Sequence, residues 1–281
     1  MRFRLYREHG ALNSAPVFDA FGRGVTSLGH EIVTDNEDVA VIWSVLWAGK
    51  MMHNQKIYQQ CIQNNRPILI IEVGNLNRGH SWRLSLNHIN RLGIFANSDN
   101  LDPVRPRILG VNLKPIEQQR RPNILIAAQH ERSLQWQGMP SMKQWCESMI
   151  KQVQLKTSRK IVVRPHPRSP FSLQIPNVTV EQPQKITNTY DDFDISYNYH
   201  CVVNHNSGPA VQAAMNGVPV LCDSSSLAGE MSIKWENLEN PVLPDREEWF
   251  LKLCHTEWTV DEIRQGIPLA RLLPEIQKQL G

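Results

Sequence analysis

The chain has 281 residues, 41% of them hydrophobic and 20% charged, with a net charge of +3. This is the profile of a globular protein of one large or two ordinary domains, and so mild a positive charge is compatible with a polyanionic partner without demonstrating one. No run approaches the roughly 20 apolar residues that span a bilayer, and MRFRLYREHGALNSAPVF lacks the apolar segment of a signal peptide, so a cytoplasmic protein with no integral membrane association is expected.

In chain order, RFRLY (2–6) reads as a first strand, and APVFDAFGRGVTSLG sets Val17, Phe18, Phe21, Val25 and Leu28 at helical spacing up to Gly29. HEIV and VAVIWS (39–44) read as the second and third strands, with DNED (35–38) as the turn between them. KMMHNQKIYQQCIQNN reads as a helix, and RPILIIEVG (66–74) as a continuous apolar strand closed by glycine. Apolar strands alternating with helices indicate a parallel sheet covered on both faces.

Residues 75–112, rich in Asn, Gly, Arg and Pro, read as long functional loops with short helices, and NLKPIEQQRRPN (112–123) as a linker. The alternation then resumes: ILIAAQ strand, SMKQWCESMIKQVQLKT helix, KIVVRP strand, CVVNHNSG strand and turn, PAVQAAMNG helix, VPVLCD strand. The segment from Trp258 to Leu280 reads as helical, broken around Pro268 and Pro274. Five cysteines show no metal spacing. Cys61, Cys201 and Cys222 read as small buried hydrophobes in a reducing compartment.

The expected fold class is α/β, two Rossmann-like domains facing a cleft: 1–114, 121–256, and a helical tail 257–281 for which packing back on the first domain is one arrangement. Ligands in such sheets sit beyond the carboxyl ends of strands, which selects 7–14, 44–50, 72–83, 129–136, 164–168, 204–209 and 223–230.

In IVVRPHPRSP (161–170) a strand runs into an Arg-Pro-His-Pro-Arg cluster, where two prolines stiffen an extended exit carrying His166 between Arg164 and Arg168. In VVNHNSGPAVQAAMNGVPVLCD (202–223), Ser207 is a natural helix N-cap before Gly208, and Pro209 fits the first turn. Such a helix start offers N–H groups and a dipole to a phosphate, although the same sequence also describes an ordinary capped helix. AAQHERSLQW (127–136) supplies Gln129, Arg132 and Ser133, and Asn206 joins the set from the turn before the helix. Together these form a nucleotide-phosphate site without a Walker lysine or a GxGxxG loop.

RPHP followed about forty residues later by NSGPAVQAAMNGVPV resembles the signature of GT-B glycosyltransferases with a His-Pro motif, which include capsule-polysaccharide transferases and, more distantly, bacterial sialyl- and Kdo-transferases. The resemblance covers most of 66–230. It implies that His166, Ser207 and Gly208 hold the phosphates of the leaving nucleotide, with no cofactor and a UDP- or CMP-sugar as co-substrate. It further implies an acceptor domain over 1–114, a nucleotide-sugar domain over 121–256, and an inverting transfer. Metal independence follows from protein cations and helix N–H groups standing where a metal would otherwise sit.

The catalytic base is expected from the first domain. Glu72 is the first candidate, at the carboxyl end of an apolar strand where desolvation would raise its pKa. A loop-organising pairing of Glu72 with Arg78 or Arg83 stands beside that reading. Asp19 is the reserve candidate, against a solvent-facing or loop-organising role. Asn13, Trp47, Arg78, Trp82 and Arg83 are the acceptor-side candidates, with the tryptophans also readable as core. YDDFD (190–194) lacks complementary metal ligands, and no metal site is expected.

For the acceptor, the favoured expectation is a 5-hydroxymethylpyrimidine in DNA, as in GT-B enzymes of some bacteriophages, which would place the protein in a host cytoplasm. It rests on arginines read as lining the first domain's loops: Arg2, Arg4, Arg7, Arg23, Arg78, Arg83, Arg91, Arg105 and Arg107. The alternatives are a surface or capsular glycan as acceptor, a nucleotide-sugar 2-epimerase, and a non-catalytic nucleotide- or DNA-binding module.

Overall fold

Unbroken apolar runs dictate the centre of each sheet: VAVIW and ILII are buried on both faces, as are ILIA, IVV and CVV. The computed structural model describes residues 1–116, 121–182 and 197–281. It divides the chain into unit 1, Met1–Val111 with Leu251–Gly281, and unit 2, Asn112–Phe250. The acidic YDDFD segment and part of the 112–123 linker lie outside the described residues.

Unit 1 runs β1 (Arg2–Leu5), α1 (Ala15–Ser27), β2 (Glu31–Ile32), β3 (Val39–Trp43), α2 (Asn54–Gln63), β4 (Ile68–Val73), β5 (Trp82–Leu86) and α3 (Arg105–Leu109). Unit 2 contains β6 (Ile124–Ala127), α4 (Met142–Gln154), β7 (Ile161–Arg164), β8 (Val178–Val180), β9 (Cys201–Asn204), α5 (Gly208–Met215) and β10 (Val220–Leu221). In α6 (Glu247–Cys254) the chain passes back into unit 1, which it completes with β11 (Glu257–Trp258), α7 (Val260–Arg264) and α8 (Ile267–Leu280).

The first sheet has the order β11-β5-β4-β3-β1-β2. Its β4-β3-β1-β2 portion is parallel, whereas β5 and β11 are antiparallel additions. β5 corrects the reading of 75–112 as loops and short helices. WRLSL alternates apolar Trp82, Leu84 and Leu86 with Arg83 and Ser85, yet all five are buried, and β11 pairs with Trp82 and Arg83 along the outer edge. A strand with a buried arginine does not read as a strand until its counter-charge, 174 positions later at Glu257, is known. The expected break at Pro274 is also absent. α8 continues through it, with Leu269, Leu272 and Ile276 buried along one face, while Pro268 fits the first turn. Gly24 lets α1 approach α7 closely: a Cβ there would lie 2.4 Å from the Ile263 carbonyl oxygen.

The second sheet, β10-β9-β6-β7-β8, is parallel throughout. Ile124, Ile126, Ile161, Val163, Cys201 and Val203 form one face and pack against Trp145, Cys146, Ile150 and Val153 of α4. Each fully buried aliphatic side chain contributes about 1.5–3 kcal/mol to this packing. Cys61 and Cys201 are buried as expected, but Cys222 is only partly so.

Candidate functional site

At the carboxyl edge of the second sheet, three strand exits are tied together by side-chain amides. Asn204, buried at the end of β9, donates to the Ala127 carbonyl of β6 (2.8 Å) and to Ser207 Oγ (2.8 Å), and its Oδ1 accepts from Ser207 N (2.9 Å). Gln129 Oε1 accepts from Asn206 N at 3.0 Å, which links the β6 exit to the β9 turn. Asn206 in turn donates to Ser225 Oγ (2.6 Å), and its Oδ1 accepts from Gln135 (3.0 Å). Burial alone would raise the Asp223 carboxyl, but hydrogen bonds from Ser225 and the charge of His205 carry it below its ordinary range.

This network engages several of the side chains read from the sequence as ligands. Gln129 and Asn206 are buried and hydrogen-bonded within the protein, so they hold the turn and do not point outward. Ser207 occupies the N-cap position in extended conformation, but its hydroxyl faces Asn204 and makes no capping bond. With Ser207 N engaged by Asn204 and Pro209 lacking an N–H, Gly208 N is left as a donor of the first turn that makes no hydrogen bond among the described residues. Arg164 is likewise drawn inward. Its Nη2 donates to Tyr199 Oη (2.9 Å) and Glu181 (3.4 Å), while Nε and Nη1 are buried with no hydrogen-bond partner among the described residues.

His166 lies beyond β7, its Nδ1 accepting from Arg168 N at 3.2 Å. In the neutral ring the proton therefore sits on Nε2. His130, beyond the adjoining β6, repeats the arrangement: Nδ1 accepts from Arg132 N at 3.1 Å. The two ring centroids are 5.2 Å apart, edge to face. His130 was not among the candidates read from the sequence, although the repeated H-x-R-S of HERS (130–133) and HPRS (166–169) pairs it with His166. Arg132 is exposed, and Ser133 Oγ is 3.5 Å from Gln129 Nε2.

In unit 1, Glu72 stands at the carboxyl end of β4, only partly buried. Its Oε2 accepts from Ser44 Oγ (2.7 Å) and its Oε1 from Val73 N (2.9 Å). Ser44 holds φ at +62°, an unfavourable left-handed conformation for a non-glycine residue, where β3 ends. Across the strands Glu72 is in register with Arg83, which is in register with Glu257. Burial lowers the Arg83 pKa, and the two flanking carboxylates partly offset that effect. Glu257, fully buried, accepts from Leu76 N (3.1 Å), Asn75 N and Ser81 Oγ (2.7 Å), and so fixes the 74–81 loop. Gly74 is required there, because a Cβ would lie 2.2 Å from Glu257 Oε2.

The remaining acceptor-side candidates do not form one group. Trp47 and Trp82 are buried; Trp82 lies in β5 and not in a loop, and neither ring offers the open face that stacking on a ligand needs. Asn13 sits half-buried in the turn before α1, and Arg78 in the loop before β5. Asp19 is exposed and ion-paired with Arg7. The arginines expected in loops are dispersed: Arg2 and Arg4 in β1, Arg23 on α1, Arg83 in β5, Arg105 and Arg107 on α3. Arg2, Arg4, Arg7 and Arg105 are already paired with Asp38, Glu8, Asp19 and Glu262. Among the described residues, no group of three or more His, Cys, Asp or Glu side chains could hold a metal ion.

No protein-family model matches the chain, and no curated protein matches its sequence. Solved structures do. The beta Kdo 2,4 transferase of Thermosulfurimonas dismutans KpsC aligns over 100% of this chain and 98% of its own, with a TM-score of 0.56 at 13% identity. The beta Kdo 2,7 transferase of the same KpsC aligns over 96% of this chain and 99% of its own, with a TM-score of 0.51 at 11% identity. With the two parallel-rich α/β sheets, this likeness establishes the fold class: a two-domain, GT-B-type α/β architecture. No helix among the described residues is long and apolar enough to cross a membrane.

Proposed function

We propose that the protein is a glycosyltransferase that moves a sugar from a nucleotide-sugar donor bound by unit 2 to a hydroxyl of a capsular or other surface glycan. The observation that carries this reading is the meeting of the His130 and His166 turns, from adjoining strands, at the same sheet edge that carries the Ser207–Gly208 helix start. Imidazole and backbone N–H donors grouped at a strand-exit edge suit the phosphate of a leaving nucleotide. Glu72 is the proposed base, its carboxylate oriented by Ser44 and the Val73 N–H. Protein donors at the leaving phosphate support a metal-independent transfer, and anomeric NMR of the product reads whether it inverts.

The glycan acceptor replaces the DNA acceptor favoured from sequence. The full-length likeness is to Kdo transferases, and the arginines that motivated DNA are dispersed, ion-paired or buried. A transfer assay tests this, offering CMP-Kdo, other CMP-sugars and UDP-sugars to Kdo-terminated oligosaccharides, with hydroxymethylcytosine DNA as a separate arm. A sugar mass increment on the oligosaccharide is expected. Modification of the DNA arm alone would restore the DNA reading. Interconversion of the free nucleotide sugar without an acceptor would identify an epimerase instead.

A further inference from the structure

We propose that His130 is a second phosphate-binding side chain, acting with His166 on a single phosphoryl group of the donor nucleotide. This deepens the reading of unit 2 as the donor-binding unit and rests on it.

The argument starts from a local duplication. β6 and β7 are neighbours in register, Ala127 opposite Arg164, and each runs into a His-x-Arg-Ser turn. The two turns share their bonding. Ser133 N donates to the His130 carbonyl at 3.3 Å and Ser169 N to the His166 carbonyl at 2.9 Å. Arg132 N and Arg168 N donate to the Nδ1 of their respective histidines. The turn backbone thus fixes the same tautomer twice, with Nε2 as the donor of each neutral ring. Proline restricts one turn at 165 and 167; the other reaches the same bonding with Glu131, whose carboxylate accepts from Met142 N at the start of α4.

One imidazole fixed by its own turn is common local chemistry. Two from adjoining strands, each with its Nδ1 held by its own turn and with ring centroids 5.2 Å apart, are close enough for one phosphoryl group to bridge them. The exposed Arg132 and Arg168, one from each turn, add positive potential for the same anion. His130 therefore belongs with His166 as a ligand.

Isothermal titration of the full chain with cytidine 5′-monophosphate and with uridine 5′-diphosphate tests this in wild type, His130→Gln, His166→Gln and the double variant. Each single substitution is expected to weaken the preferred nucleotide about tenfold, and the double variant by less than the product of the two, because both rings serve one anion. In the unmutated protein, long-range 15N–1H spectra should show both Nε2 resonances moving on nucleotide addition, a readout that does not depend on a variant folding. Wild-type affinity in His130→Gln alongside weakened binding in His166→Gln, with only one Nε2 moving, would overturn the proposal and leave the donor reading standing. Wild-type protein that binds neither nucleotide would overturn both.

Discussion

The polar edges of the two sheets are built from different chemistry. In unit 1 a row of alternating charge crosses three strands, from partly buried Glu72 to buried Arg83 and Glu257, and anchors the 74–81 loop. In unit 2 the corresponding edge is held by neutral amides, Asn204, Gln129, Asn206 and Gln135, bonded to backbone and to one another. A buried charge row tolerates loss of a member poorly, because the remaining charges stay desolvated. An amide network itself carries no net charge, so the local field is set by the charged and titratable groups around it, Asp223 and the histidines among them, and by a ligand. The first construction suits a carboxylate held in one orientation; the second suits a seat for an anion.

Substitutions at each edge test that contrast. Glu72→Gln should lower turnover by about 10²–10⁴ while leaving nucleotide affinity unchanged, measured by single-turnover transfer and titration; unchanged turnover would remove Glu72 as the base. Glu257→Ala removes one of the two carboxylates flanking buried Arg83 and frees two backbone N–H groups of the loop. It should cost about 3–5 kcal/mol in urea unfolding, with faster amide exchange over 74–86 and none of that acceleration in β6, β7 or β9. Asn204→Ala removes three hydrogen bonds and should cost about 2 kcal/mol, with the exchange change confined to 127–129 and 204–208.

His88, just after β5, has its pKa pushed down to about 4 by burial, against an ordinary 6.5, and its Nδ1 accepts from Ile89 N. The unfolded ring takes up a proton as pH falls through 6.5, whereas the folded ring resists until about 4. The stability it contributes is therefore complete above pH 6.5 and declines between 6.5 and 4. Urea midpoints across that window should fall with pH, and fall less steeply in His88→Gln. The smallest effect is expected from Asp19→Asn. Its exposed pairing with Arg7 is worth less than about 1 kcal/mol, and turnover should not change; a large loss of turnover would return Asp19 to the list of bases.

How much of this could be read beforehand differs between the units for the same reason. In unit 2 the site comes from strand exits, where RPHP and NSGP are contiguous in sequence and local backbone rules apply. Even so, the sequence does not say that Tyr199, Glu181 and Asn206 engage the Arg164 and Gln129 side chains. In unit 1, Glu72 was picked out as a candidate base from an apolar run ending in a carboxylate. Ser44 and Glu257 were not, since neither has a local pattern that points at Glu72 or Arg83.

The sequence by itself determined the two runs of α/β alternation, the buried central strands and the His-Pro exit, because periodicity, proline geometry and apolar length act over a few residues. Only the tertiary structure decided that β5 is a strand, that residue 257 completes the first sheet, and that His130 faces His166. Each of those depends on partners brought together by sheet registry, and long-range registry leaves no trace in any short stretch of chain.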